Sequence, residues 1–85
     1  MYSIVFENEA KKSLTKIPKT EQIKNIKKIE TLVLNPRPEG SIAMKGDHHG
    51  FNRIRVGDYR VVYHIEDKKL LVLIVKIGQR GYVYD

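Results

Sequence analysis

The chain contains no cysteine, which removes disulfides and thiolate metal sites from consideration. It has no long hydrophobic run either: "LLVLIV" at 70–75 and "IVF" at 4–6 are far too short to span a bilayer. The N-terminus lacks the basic and long apolar segments of a secretory signal, so a soluble, cytoplasmic protein with no membrane partner is expected. Repeats, low-complexity tracts and an internal linker are all missing. The 85 residues therefore read as one domain, 1–85, with a core only just large enough to hold a fold. Arginine is absent from the whole stretch before Leu34, where seven lysines stand instead: Lys11, Lys12, Lys16, Lys19, Lys24, Lys27 and Lys28.

What is present is a basic excess, 16 Lys and Arg against 10 Asp and Glu, for a formal charge of +6 that favours a polyanionic partner. All five arginines (Arg37, Arg53, Arg55, Arg60, Arg80) lie in the second part of the chain. Lysine is a hydrated point charge suited to a solvated face, whereas arginine offers a planar fork matched to phosphate. The second half is the expected binding site, and the lysines are expected to form a solvated face.

"YSIVF" is short and β-rich and reads as a first strand. Asn8 then precedes a helix carrying Ala10, Leu14 and Ile17 on one side; Asn8 is its expected cap and Pro18 its stop. A second helix is expected from a cap at Thr20, with Ile23, Ile26, Ile29, Leu32 and Val33 as a broad apolar stripe ended by "NPRPEG". From Ser41 the period becomes strand-like: "SIAMK" as a short strand, the loop "GDHHG", then "FNRIRV", "YRVVYHIE" and "KLLVLIVKI" joined at Gly57-Asp58 and Asp67-Lys68. His48 and His49 are adjacent, with no third ligand near them in sequence, so they read as a polar loop and no metal is assigned. The expected architecture is α+β in two layers: an N-terminal strand and helical hairpin packed on an antiparallel sheet built by a C-terminal meander.

A two-residue turn at Gly57-Asp58 pairs Val56 with Tyr59, Arg55 with Arg60, Ile54 with Val61 and Arg53 with Val62. Directly opposite residues share a face, so Arg53, Arg55 and Arg60 project together, while Ile54, Val56, Tyr59, Val61 and Tyr63 line the side that the helices cover. Like charges facing each other across a hairpin destabilise it, and a sequence selected for stability alone would not place them there. An anion seated between the arginines resolves the conflict. Gly78 interrupts the alternation after the last strand, so periodicity does not assign a face to Arg80. Tyr82 and Tyr84 follow, and a phenol surrounded by cations ionises more readily and can then accept a proton. Aromatic rings beside arginines also offer nucleobases a stacking surface.

"KG" at 45–46, "RIRVGDYRVVY" at 53–63 and "IGQR" through "VY" at 77–84, with "LNPRP" after the helices, resemble the RelE branch of the RelE/ParE toxin superfamily over nearly the whole chain. The resemblance implies the toxin of a toxin–antitoxin pair, a RelE-like mRNA interferase that cuts messenger RNA in the ribosomal A site, with no metal and no cofactor. Arg53 and Arg55 stand where the best-known member has lysines, which hold RNA phosphates and favour an ionised tyrosine. By the same resemblance Arg60 binds the scissile phosphate, Arg80 stabilises the transition state or protonates the leaving group, and Tyr84 is the general base, with Tyr82 the alternative. Lys45 and Asn52 join Arg53 and Arg55 as RNA-binding residues. Gln79 occupies the place of a histidine in many relatives. The implied partners are mRNA, the ribosome and a small, acidic, RelB-like antitoxin that folds on binding. Two other readings stay open: a ParE-like toxin that inhibits DNA gyrase without being a nuclease, and a degenerate RNA-binding module.

Overall fold

The computed structural model describes residues 1–79. They form β1 (Ser3–Phe6), α1 (Asn8–Lys16), α2 (Lys19–Glu30), β2 (Ile42–Ala43), β3 (Phe51–Val56), β4 (Tyr59–Glu66) and β5 (Leu71–Gln79). Short 3-10 turns occupy Thr31–Val33, Gly46–His48 and Asp67–Lys69. The strands make one sheet of order β1-β5-β4-β3-β2, and the two helices, with the 3-10 turn after α2, contribute Ala10, Ile29 and Leu32 to a core on one of its faces, as a two-layer α+β fold should. β1 joins β5 in parallel, which makes the sheet mixed rather than wholly antiparallel. Among the described residues no helix is long and apolar enough to cross a membrane.

The helix starts differ from the expected caps. Asn8 and Lys19 are already helical, the N-caps are Glu7 and Pro18, and neither makes a side-chain capping bond. Neither Asn8 nor Thr20 is therefore a cap. Pro18 acts as expected: Ile17 before it is extended, with φ −89° and ψ 157°, which ends α1. Gln22 Nε2 then donates to the Ile17 carbonyl at 3.0 Å and ties the linker to α2. The apolar stripe of α2 is narrower than its composition suggests. Ile29 and, just beyond the helix, Leu32 are buried, but Ile23 and Ile26 remain 47% and 39% exposed, while Asn25, one turn before Ile29, is fully buried instead. The Asn25 amide donates to the Glu21 carbonyl at 2.7 Å.

β3 and β4 keep the expected bounds and register, Val56 opposite Tyr59 and Arg55 opposite Arg60. Gly57 adopts φ +59°, which a two-residue hairpin turn with glycine in its first central position needs. The next connection is longer than the expected Asp67-Lys68 turn: it runs to Leu70, itself left-handed at φ 51°, and β5 begins at Leu71.

The segment after α2 is fastened to the sheet at two points. Tyr63 is fully buried and its hydroxyl donates to the Pro36 carbonyl at 2.7 Å. Burial pushes its phenol up to about 12, with Ser41 and Arg37 pulling partly back, so it stays a donor at any physiological pH. Arg37 grips Asp67 with both terminal guanidinium nitrogens, Nη1 at 3.2 Å and Nη2 at 2.9 Å, and the Tyr2 hydroxyl donates to the same carboxylate at 2.7 Å. The guanidinium bonds, more than the Tyr2 bond, hold the Asp67 carboxyl down at about 2, so this clamp is charged across the physiological range. Tyr63→Phe leaves the buried Pro36 carbonyl without its donor and is expected to cost about 1–3 kcal/mol. A thermal melt checks this; an unchanged Tm would mean that water reaches the carbonyl.

Candidate functional site

The strand period decides which side chains meet on the sheet face away from the core. Opposite partners share a face, so β4 offers Arg60, Val62, His64 and Glu66 and β3 offers Phe51, Arg53 and Arg55. Ile42 of β2 lies opposite Arg53. On β5, Gly78 stands across from Arg60 and presents no side chain, while Lys76 stands across from Val62. A bulge between Val62 and Tyr63 shifts the register there, so that Tyr63 meets Ile74. The face thus holds three arginines around fully buried Val62, on strands rather than loops.

The three arginines are not equivalent. Arg55 is exposed, but Arg53 and Arg60 are only 8% and 3% exposed, and both are engaged within the fold. One contact of Arg60 is a long hydrogen bond, 3.4 Å, from Nη1 to the Tyr59 carbonyl. Splayed, fully solvated guanidiniums are therefore not what this hairpin carries. Packing fixes two of them, and a cation whose position is already set loses little entropy and needs little rearrangement when an anion arrives. Arg37 is not part of the group, since it is committed to Asp67.

Of the RNA-binding candidates, Lys45 lines a cavity of about 300 Å³ together with Arg53, Ile42, Ala43, Met44 and His48. Asn52 pairs with Tyr63 and Ala43 and so falls on the opposite face from Arg53. Arg80, Tyr82 and Tyr84 lie outside the described residues. His48, read from the sequence as loop, is placed beside Arg53 by the 3-10 turn, which no local pattern signals. Lys76, paired with Glu9 at 3.6 Å, was hidden by the bulge. Among the described residues no three His, Asp or Glu side chains are grouped to hold a metal. A larger cavity, about 490 Å³, lies between Ile17-Pro18 and Tyr59, Ile77, Gly78 and Gln79. Among the described residues its lining includes Lys16 and no arginine.

His64 sits on the arginine face, at the end of the hairpin away from the turn. Nδ1 lies 2.9 Å from the Gly50 carbonyl and Nε2 lies 2.6 Å from Glu66 Oε1. Both neighbours are acceptors, so both bonds form together only when the ring is protonated. The Glu66 bond first and the Gly50 bond second raise the His64 pKa above its ordinary 6.5. A raised folded pKa gives stability that is complete below 6.5 and is lost as pH rises through the folded value. Tm is expected to fall slightly over that window, and Glu66→Gln to flatten the fall. Parallel melting curves across pH for the two proteins test the assignment.

Comparison with known proteins places this geometry. The family described as "ParE toxin of type II toxin-antitoxin system, parDE" matches residues 4–84. Among solved structures, the RelE–RelB complex of Pyrococcus horikoshii contains a chain 27% identical, with a TM-score of 0.82 over 96% of this chain and 98% of that one. The RelBE2 toxin–antitoxin complex of Mycobacterium tuberculosis matches at 22% identity and TM-score 0.83, covering 93% and 98% of the two chains. The isolated RelE toxin of E. coli matches at 24% identity and TM-score 0.81, covering 98% of this chain and 88% of that one. No curated protein sequence gives a match.

Proposed function

The chain belongs to the family of ParE toxins of type II toxin–antitoxin systems, and on that premise we propose that it is a ribosome-dependent endoribonuclease that cleaves mRNA in the A site. The observation that carries the proposal is Arg55 directly opposite Arg60, with Arg53 on the same face, in a hairpin that a stability-driven sequence would not build. RNA supplies its own nucleophile. The 2′-oxygen attacks the adjacent phosphorus, the bond to the 5′-oxygen breaks, and a 2′,3′-cyclic phosphate and a 5′-hydroxyl remain. A base must take the 2′ proton, cations must meet the charge growing on the phosphoryl oxygens, and the departing oxygen needs a proton.

In this reading Arg60 binds the scissile phosphate, Arg53 and Arg55 hold the strand, and no metal is required. Tyr84 is the base, with Tyr82 the alternative, and Arg80 stabilises the transition state. Arginine does not readily give up its proton, so water or a ribosomal group protonates the leaving oxygen. Tyr63, held protonated by burial, is not a candidate for the base. The partner in the resting cell is a small acidic antitoxin resembling RelB, the partner of the archaeal relative; the +6 charge suits its approach.

Primer extension on an mRNA in a reconstituted translation system tests the reading, with wild type and Tyr84→Phe, with and without ribosomes. Cuts that require ribosomes and weaken in the variant support it. Growth arrest without cuts under any condition would point to gyrase instead, and neither arrest nor cuts to a degenerate binding module.

A further inference from the structure

We infer that the cavity between β2, the Gly46–His48 turn and β3 receives one base of the RNA strand next to the scissile phosphate. The inference deepens the nuclease reading and rests on it for the identity of the strand. Its ground is the composition and position of the cavity. Ile42, Ala43 and Met44 give it apolar lining, and Lys45 and Arg53 give cationic lining beside the ring of His48. A nucleotide has the same division, a flat ring with apolar faces joined to a phosphate. At about 300 Å³ the space is at the small end of ligand sites, which run to roughly 1,000 Å³. A single base fits within it, and a folded protein element does not.

The chemistry of each lining group suits that occupant. A thioether such as Met44 packs against ring faces, and an imidazole such as His48 stacks on bases. Ile42 is 47% exposed although it sits in the sheet beside Arg53, an apolar surface that a base would cover. Arg53 links the cavity to the hairpin cluster: Arg55 is two residues away on the same strand, about 6.6 Å, and faces the same way. A strand whose phosphate lies at Arg55 and Arg60 brings its neighbouring nucleotide over Arg53. An acidic peptide would match the cations but gains less from a small recess with apolar lining.

The test uses the full chain and a fluorescent six-nucleotide RNA made uncleavable by 2′-O-methyl groups, titrated at low salt, beside versions with one base removed at each position. Wild type is expected to lose about tenfold in affinity when one particular base is missing and little for the others. Ile42→Ser/Met44→Ser is expected to bind intact RNA about as weakly as wild type binds that abasic RNA, and to be indifferent to the missing base. Equal binding of every abasic RNA by wild type overturns the inference without needing any variant. Unchanged RNA binding by the double variant overturns it too, and if that variant instead loses its hold on a co-expressed antitoxin, the cavity serves protein recognition. Ribosome-dependent cutting by wild type is read separately, so the nuclease proposal and the base site can fail independently.

Discussion

Arg60→Ala is expected to lower single-turnover cleavage of ribosome-bound mRNA by about 100- to 1,000-fold, the usual loss when one preorganised donor to a developing oxyanion is removed. The residue is suited to that role because its surroundings leave the side chain few alternatives. It is only 3% exposed, it stands two residues from fully buried Val62 on the same face of β4, and Gly78 opposite it carries no side chain. Burial also means that the substitution opens a space, so a fall in Tm is expected beside the fall in rate. Arg60→Lys separates the two effects. It keeps a positive charge and most of the packing but gives up the planar fork, so it should recover most of the stability and only part of the rate. A folded Arg60→Ala protein that cleaves within about threefold of wild type, a loss well below that of a typical oxyanion donor, would remove Arg60 from the phosphate site.

How much of this was legible in the sequence depends on the range of the interactions that decide it. The hairpin was fully readable: Gly57-Asp58 fixes the loop, the loop fixes the register, and alternation then assigns Arg53, Arg55 and Arg60 to one face. Everything needed lies within a dozen residues. The helices were readable as segments but not at their ends, since Asn8 and Thr20 have capping chemistry without making the bonds. Ile23 and Ile26 fit an apolar stripe on paper. The rotation of α2 that buries Ile29 sends Asn25 inward in their place. The parallel pairing of β1 with β5 joins residues almost seventy positions apart, such as Ser3 and Leu71, and no local pattern encodes it.

For the candidate site the division is similar. Arg37 looked like one more basic residue, and only the fold brings Asp67 to it. Charge and alternation predicted the grouping of the hairpin arginines but not the burial of Arg53 and Arg60, which depends on what packs around them. His64 was accessible to the same alternation that grouped the arginines, but its two acceptors come from a turn and from the next residue on its own face. His48 needed the 3-10 turn to reach Arg53.

Arg55→Glu is expected to move stability and activity in opposite directions. In the wild type Arg55 faces Arg60 across the hairpin, and like charges so placed cost up to about 1 kcal/mol, an amount that an opposite-charge pair returns as stabilisation. Arg55 is the exposed member of the pair, so a glutamate there fits without disturbing the core and meets a guanidinium that packing already holds. For a domain of this size each kcal/mol is worth about 4–8 °C, so Tm should rise by several degrees. Cleavage should fall at least as far as in Arg60→Ala, because a fixed carboxylate then stands where the phosphate must bind and repels it. Arg55→Gln, which removes the repulsion without supplying an anion, is expected to fall between the two in both measurements. The opposite signs carry the argument: if the facing arginines are kept for packing, replacing one loses stability, and if they are kept for an anion, supplying a permanent one gains stability and ends the reaction. A variant that is less stable than wild type, or one that is more stable and still cuts mRNA at the wild-type rate, would show that the hairpin arginines do not form a phosphate site.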